Sequence, residues 1–204
     1  MTDRASHWEN LYTKKAENEV SWFQESPAIS LRLIRDANAS PDSRIVDIGG
    51  GASRLVDALL EQGYRALTVL DISAAALETA KKRLGAASAK VDWIVADATK
   101  WTPTKIYDIW HDRATFHFLT EPADREAYLD RLRAATASGS QVIIGTFALD
   151  GPEKCSGLPV QRYDSSSLAK VLGPAFELAD SHAEAHHTPW GAIQHFQFSR
   201  FRRV

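Results

Sequence analysis

Short apolar runs alternate along the chain with longer stretches in which apolar residues recur at helical spacing. Runs of the first kind, rich in β-branched residues, predict five buried strands: Arg44–Ile48, Ala66–Leu70, Val91–Val95, Ile106–Trp110 and Gln141–Phe147. Stretches of the second kind predict helices, and they include Leu55–Leu60, Ser73–Leu84 and Pro122–Ala137. Because strands and helices alternate, the pattern predicts an α/β fold with a mostly parallel sheet.

The pattern changes after the fifth strand. A short helix over Ser165–Leu172 precedes two further predicted strands, Phe176–Ala179 and His195–Phe201, with no helical crossover between them. Thr188–Gly191 carries a turn signal, so these two strands are predicted to form an antiparallel hairpin. The whole chain therefore predicts a doubly wound seven-stranded sheet, mostly parallel with a C-terminal antiparallel hairpin, and helices on both faces.

Length and composition limit the classes of protein that fit. The 204 residues suit one domain, in which a helical N-terminal segment, 1–40, precedes a core, 41–204. The formal net charge of -2 gives no reason to expect the basic face that nucleic-acid-binding proteins usually carry. No apolar run approaches the ~18 residues of a membrane span, and the N-terminus has no signal-peptide core. The one cysteine, Cys155, excludes an internal disulfide. We expect a cytoplasmic protein that binds no nucleic acid, membrane or metal.

Acidic residues and glycines follow the predicted strands at the edge where the carboxyl ends of parallel strands meet. Asp47 and Gly49–Gly51 end the first strand, Asp71 ends the second, and Asp97 follows the third. A carboxylate at the end of the second strand can accept both hydroxyl hydrogens of a ribose. The dinucleotide fingerprint is incomplete because Arg54 stands where its third glycine would be. Three carboxylates at one edge instead suit a nucleoside that carries positive charge.

These motifs, in this order, resemble those of class I S-adenosylmethionine-dependent methyltransferases, which have a Rossmann-like fold. The segments that carry the resemblance are Val46–Gly51, Leu70–Ile72, Ala96–Ala98, Tyr107–Ile109 and Asp112–Arg113. Ahead of them, Trp8–Tyr12 and Trp22–Phe23 resemble the lead-in of two branches: the thiol and thiopurine methyltransferases, and protein-lysine methyltransferases that include those acting on elongation factors. One departure is Ser53, where the family often has a third glycine.

The resemblance implies a binding edge for S-adenosylmethionine. Gly49 and Gly51 would lie against the methionine part of the cofactor, with Asp47 near its amino group. Asp71 would bind the ribose hydroxyls, and Asp97 would accept from the adenine amino group. The other residues implied in cofactor binding are Ile72 and Ala98 beside the adenine, Trp8 and Tyr12 in an N-terminal lid helix, and Asp112 after the fourth strand.

The same resemblance implies that His111–Ala114, after the fourth strand, borders both cofactor and acceptor. A general base is needed only if the acceptor arrives protonated, and the candidates are His111, Asp112 and His117. The candidate acceptor-binding residues are Trp22, Phe23, Arg113, His187 and Trp190. Core packing is the alternative for the N-terminal aromatic residues, and a solvated loop is the alternative for His187 and Trp190.

The resemblance further implies an enzyme that transfers a methyl group from S-adenosylmethionine and releases S-adenosylhomocysteine. We expect a small-molecule acceptor, with a thiol or sulfide as the specific hypothesis, because the body is compact and aromatic N-terminal elements can cover a small pocket. A protein-lysine acceptor is the alternative that Trp8–Tyr12 and Trp22–Phe23 favour. The third alternative is a non-catalytic protein that binds the cofactor or its demethylated product.

Overall fold

The computed structural model describes residues 3–204. The strands in chain order are β1 (Arg44–Ile48), β2 (Ala66–Asp71), β3 (Val91–Val95), β4 (Ile109–Arg113), β5 (Gln141–Phe147), β6 (Lys154–Cys155), β7 (Leu158–Pro159), β8 (Phe176–His187) and β9 (Ile193–Arg203). The α-helices are α1 (Asp3–Lys14), α2 (Ala28–Asp36), α3 (Leu55–Glu61), α4 (Ala74–Leu84), α5 (Pro122–Ala135) and α6 (Ser165–Leu172). Among these residues, no helix combines the length and the apolar character that crossing a bilayer requires.

The main sheet has seven strands in the order β3-β2-β1-β4-β5-β9-β8, and β6 pairs with β7 in a separate small hairpin. Strands β1 to β5 run parallel, whereas β9 is antiparallel to both β5 and β8. These findings confirm the predicted doubly wound sheet with its C-terminal antiparallel hairpin. The strand order reverses between β1 and β4, and doubly wound folds bind ligands in the crevice at the carboxyl ends of such strands.

Successive side chains of each central strand pack on opposite faces of the sheet. In β1, Ile45 packs in the core cluster that contains residues of α2 and α3, and Val46 packs in the cluster that contains residues of α5 and α6. Strand β4 continues this alternation, with Ile109 in the first cluster and Trp110 in the second. Neighbouring residues of one strand therefore meet different helices.

The fourth strand lies three residues later than the predicted Ile106–Trp110. The amide of Tyr107 donates to the carbonyl of Ala135, so this buried residue precedes the strand and does not extend it. His111 and Asp112, predicted to follow the strand, lie inside it and pair with β1 in parallel register. The apolar pattern does not mark the end of this strand, because two buried polar residues, His111 and Asp112, follow one another there.

The C-terminal hairpin is much longer than the predicted Phe176–Ala179 and His195–Phe201. Strand β8 lies at the edge of the sheet, and most of its side chains are exposed or half-buried. It therefore has no continuous apolar run to mark its length. A register shift between Leu178 and Asp180 also interrupts its pairing with β9.

Candidate active site

A cleft of about 750 Å³ opens at the carboxyl ends of β1, β2 and β3. Its lining comes from α1, from the loop after β1, from the ends of β2 and β3, and from the segment after β4. Predicted site residues in this lining are Trp8, Tyr12, Trp22, Gly49, Asp71, Ile72, Asp97, Ala98 and Arg113.

The loop after β1 approaches its neighbours too closely for larger residues. Gly49 has φ +67°, and a Cβ atom there would lie 1.8 Å from Thr115 Oγ1. Gly51 has φ +46°, and its Cβ would lie 2.9 Å from Asp71 Oδ2. Both positions therefore need glycine. Ser53 lies outside the left-handed region, and its Oγ accepts a hydrogen bond from the Leu55 amide (3.1 Å), so the third position needs no glycine.

Asp71 ends β2 with its carboxylate in the wall of the cleft. The side chain is almost fully buried, and Oδ1 accepts a hydrogen bond from the Ser73 amide (2.8 Å). Burial, together with the nearby carboxylates of Asp47 and Glu9, raises the pKa of Asp71 to about 7 against the lowering effect of the Ser73 amide. This residue is thus a hydrogen-bond acceptor held in place by the backbone of the next helix.

The end of β3 supplies the other acid of the cleft. Asp97 Oδ1 accepts from both the amide (2.9 Å) and the hydroxyl (2.7 Å) of Thr99. Thr99 also lines the cleft, although it belongs to none of the motifs identified in the sequence. The structure brings Asp97 and Ala98 together with Asp71 and Ile72, as a site for one nucleoside requires.

Aromatic side chains from three segments form an aromatic wall over the cleft, defined as Trp8, Tyr12, Trp22 and Phe118. The ring centroids of Trp8 and Phe118 are 5.0 Å apart, and those of Trp8 and Trp22 are 5.7 Å apart. Trp22 Nε1 donates to the hydroxyl of Tyr12 (3.3 Å). These residues therefore pack against one another and line the cleft at the same time.

Helix α1 is fastened to the sheet beside the cleft. Glu9 Oε2 accepts from the Ser73 hydroxyl (2.7 Å) and from the Ala75 amide (3.2 Å), at the amino end of α4. A carboxylate is favourable there because the first amides of a helix have no partner inside it. At the other end of α1, Arg4 pairs with Asp124 (2.6 Å).

A second cleft of about 530 Å³ lies on the other side of the glycine loop. Its lining includes the predicted site residues Asp47, His111 and Phe23. Four residues line both clefts, so the two spaces adjoin; these are Tyr12, Trp22, Gly49 and Arg113.

His111 has both ring nitrogens engaged and little exposure. Nδ1 lies 2.7 Å from Asp47 Oδ1, and Nε2 lies 2.9 Å from Ser30 Oγ on α2. The exposed fractions of Ser30, His111 and Asp47 are 1%, 2% and 5%. This arrangement does not favour His111 as a general base, because neither nitrogen is directed at a substrate.

Asp112 faces the opposite side of the sheet from His111 and does not line either cleft. Its carboxylate accepts hydrogen bonds from the amides of Thr115 (2.9 Å) and Phe116 (3.1 Å) and from the hydroxyl of Tyr128 (2.6 Å). Burial raises the pKa of Asp112 to about 6, against the lowering effect of these bonds. The geometry thus contradicts its predicted contacts with the cofactor and favours a structural role in the turn after β4.

His117 is fully buried and also lies outside both clefts. Its Nδ1 accepts from the amide of Phe147 (3.4 Å), and its ring packs against Phe118 and Phe147. Burial, together with the guanidinium of Arg113, lowers the pKa of His117 to about 3. The imidazole is therefore neutral at pH 7 and does not contact the space where an acceptor would lie.

Arg113 and Cys155 border the aromatic wall. Arg113 Nη1 donates to the carbonyl of Trp22 (2.9 Å), and its guanidinium lies 4.7 Å from the ring centre of Phe196. Burial lowers the pKa of Arg113 to about 10. Cys155, on β6, lines the cleft with 4% exposure, and burial raises the pKa of its thiol to about 11.

His187 and Trp190 do not join the site. His187 is exposed, Trp190 is 60% exposed, and neither lines the two clefts. Because side chains alternate along β8, the adjacent His186 points inward, where its Nε2 donates to the carbonyl of Ser21 (2.7 Å). The solvated-loop alternative therefore describes Trp190 better than acceptor binding does.

Comparison with known proteins places this site in a family. A family model described as a methyltransferase domain matches residues 45–139. Malonyl-[acyl-carrier protein] O-methyltransferase of Anoxybacillus flavithermus is 33% identical over 108 residues, 52% of this chain and 40% of that protein. The chain thus spans about two fifths of the length of this relative. EEF1A lysine methyltransferase 2 of Danio rerio is 26% identical over 187 residues, 84% of this chain and 74% of that protein.

Solved structures agree in fold. The 1,6-didemethyltoxoflavin-N1-methyltransferase of Burkholderia thailandensis, solved with 1,6-didemethyltoxoflavin and S-adenosylhomocysteine, superposes with a TM-score of 0.70 at 20% identity over 100% of this chain and 86% of that one. The family match begins at β1 and covers the glycine loop, Asp71 and Asp97. Residues 45–139 match a methyltransferase domain, and the chain has the fold of the class I S-adenosylmethionine-dependent methyltransferases.

Proposed function

We propose that this protein binds S-adenosylmethionine in the cleft and transfers its methyl group to a small acceptor, a thiol or sulfide. One observation carries the proposal: an acidic nucleoside edge, Asp71 and Asp97, shares a single cleft with the aromatic wall and with Arg4 and Arg113. The acidic edge suits a cationic adenosine derivative, and the aromatic wall with its neighbouring arginines suits a small acceptor that carries negative charge.

The residues of the cleft fit the cofactor. Asp71 has a buried carboxylate whose oxygens can accept from the ribose hydroxyls, and Asp97 with Ala98 can hold the adenine beside Ile72. Gly49 lines both clefts, so the methionine part would lie beside it, with Asp47 in the adjoining second cleft near the amino group. When bound, S-adenosylmethionine supplies an electrophilic methyl group on a positively charged sulfur.

The chain itself supplies orientation, exclusion of water and a favourable electrostatic field. The aromatic wall covers the cleft, and its ring faces attract a nearby cation. Tyr12 and Trp22, which line both clefts, would hold the acceptor on one side of the reacting carbon. Orientation of this kind contributes several kcal/mol to catalysis, up to ~7–11 kcal/mol in the best cases.

The charges beside the aromatic wall favour an acceptor that ionises readily. Among the described residues, the basic side chains that line the cleft are Arg4, which is paired with Asp124, and Arg113. The buried guanidinium of Arg113 can stabilise a thiolate and lower the pKa of a bound thiol. His111, Asp112 and His117 are all engaged or buried, so an acceptor that needs no protein base fits this site best.

An acceptor screen tests the proposal. Thiols would be compared with alcohols and primary amines of the same carbon skeleton, with formation of S-adenosylhomocysteine as the readout. We expect turnover with thiols to exceed the others, and kcat/KM to rise with pH until the thiol is ionised. Background turnover with every thiol would contradict the proposal.

A protein-lysine acceptor is the second candidate, favoured by the similarity to EEF1A lysine methyltransferase 2 over 84% of this chain. Incubation of a cell lysate with methyl-labelled cofactor would then label a discrete protein band. Calorimetric binding of the cofactor together with transfer to neither acceptor class would identify a non-catalytic binder.

A further inference from the structure

We propose that Ser30 and His111 form a hydrogen-bond chain that positions the carboxylate of Asp47 toward the amino-acid end of S-adenosylmethionine. This inference rests on the proposed function. It makes His111 a positioning residue, and it adds Ser30, which lies on α2 and has no motif around it in the sequence.

The chain of contacts crosses three elements. Asp47 on β1 and His111 on β4 are register partners in the parallel ladder, so their side chains leave the same face of the sheet. Helix α2 covers that face and brings Ser30 Oγ to 2.9 Å from His111 Nε2, while His111 Nδ1 lies 2.7 Å from Asp47 Oδ1. The fold therefore sets each of the three positions independently.

The chemistry of the three groups assigns the protons. A carboxylate can only accept, so Nδ1 carries the proton that it donates to Asp47. In the neutral imidazole Nε2 is then an acceptor, and the hydroxyl of Ser30 donates to it.

The free end of the carboxylate faces the glycine loop. A Cβ atom on Gly50 would lie 2.6 Å from Asp47 Oδ2, so this oxygen packs against the loop backbone. Asp47 and His111 both line the second cleft beside Gly49 and Gly50. A carboxylate whose first oxygen is fixed by an imidazole and whose second meets this loop is suited to an ammonium group.

Two ligands that differ only at the amino-acid end test the proposal. S-adenosylhomocysteine carries the amino acid, whereas 5′-methylthioadenosine carries the adenosine and sulfur without it. Calorimetry would measure both with the unaltered protein and with Ser30→Ala, His111→Asn and His111→Phe. His195→Asn is the matched control, because His195 Nδ1 also pairs with a carboxylate, Asp150 (2.7 Å), on the surface.

We expect His111→Phe to lower the affinity for S-adenosylhomocysteine about ten-fold or more, and Ser30→Ala to lower it less. The affinity of both variants for 5′-methylthioadenosine should stay within about two-fold of that of the unaltered protein. His111→Asn keeps an N–H donor near Nδ1 and should restore part of the affinity. Unchanged S-adenosylhomocysteine affinity in folded His111→Phe, or equal losses for both ligands, would overturn the proposal. If His111→Phe shows no cooperative thermal transition, the same comparison with His111→Asn and Ser30→Ala decides.

A measurement on the ligand-free protein gives an independent readout. Nitrogen-15 NMR should show a proton on Nδ1 of His111, and a ring that is protonated on Nε2 alone would overturn the proposal. If the unaltered protein binds neither ligand, the proposed function fails. If it binds both and the variants match it, only this inference fails.

Discussion

At the scale of single residues, Asp71 shows the cost of a carboxylate held ready for a ligand. Its pKa of about 7 in the folded chain lies above its ordinary value of 3.8, chiefly because of burial. The folded state therefore holds this proton more tightly than the unfolded state does. As the pH rises from about 4 to 7 the free energy of unfolding decreases, because the buried carboxylate must ionise.

Replacing Asp71 by Asn should separate binding from stability. The amide carbonyl can still accept from the Ser73 amide, and the buried charge is gone, so at pH 8 the variant should unfold at a higher temperature. A gain of ~1 kcal/mol corresponds to about 2–4 °C in Tm for a chain of this size. At pH 5 the gain should shrink, since Asp71 is then protonated. S-adenosylhomocysteine affinity should fall about 10- to 100-fold.

Calorimetry and thermal melts at both pH values check this, with Asp42→Asn as the control. Asp42 is exposed and pairs with Arg65 (2.5 Å), so its substitution should leave binding unchanged. Equal affinity in Asp71→Asn and the unaltered protein would contradict the assigned ribose contact.

The sequence predicts the position of a site residue best when that residue lies at the end of an apolar strand. Gly49 and Asp71 follow apolar runs, and their spacing alone brings them to the edge. Asp112 and His111 could not be placed in this way, because their partners, Tyr128 and Ser30, are distant in the chain. The hydrophobic pattern alone assigns a polar residue to a loop, because the partner that allows its burial in a strand is not visible in the sequence.

At the scale of elements, α1 is the helix that connects one wall of the cleft to helix α4. Its side chains line the cleft, and its attachment to α4 depends on Glu9, which accepts hydrogen bonds from Ser73 and Ala75. The attachment lies directly after Asp71, so it couples the position of the helix to the adenosine end of the cleft.

Glu9→Ala should loosen this attachment and speed release of the product. Loss of a charge-assisted contact should raise the dissociation rate of S-adenosylhomocysteine about ten-fold in stopped-flow displacement. Asn10→Ala is the control, since Asn10 is the next residue of the same helix and is exposed. Equal dissociation rates for the two variants would show that Glu9 does not hold the helix.

Element type was predictable where the apolar pattern is strong, as in β1 and α4. It was less so in β8, because an edge strand keeps a polar outer side and its burial alternates. The hairpin of β6 and β7 was not predicted, since two-residue strands are shorter than any periodic signal.

At the scale of the whole molecule, the ligand site and the C-terminal hairpin depend on different parts of the sheet. The clefts draw on α1, on residues 20–24 and on the strand ends. The far half of the outer strand β8, residues 176–181, pairs only with β9 and lies apart from them, whereas Glu184 and His186 contact Gln24 and Ser21. Ligand binding should therefore stabilise one side of the molecule locally.

Hydrogen exchange followed by mass spectrometry tests this division. Saturating S-adenosylhomocysteine should slow exchange in α1 and residues 20–24, because the ligand contacts the side chains that hold them in place. Exchange over the far half of β8 should change little. Uniform slowing across the chain would instead mean that binding stabilises the fold only globally.

The bulge between Leu178 and Asp180 in β8 has a consequence for how copies of this protein meet in solution. The outer backbone N–H and C=O groups of a long, flat edge strand have no partner in the sheet, so such a strand can pair with a strand of another molecule. In β8 the register shift interrupts that row of groups, and the side chain of Glu177 beside it is exposed and charged. Together they protect concentrated protein from associating through this side.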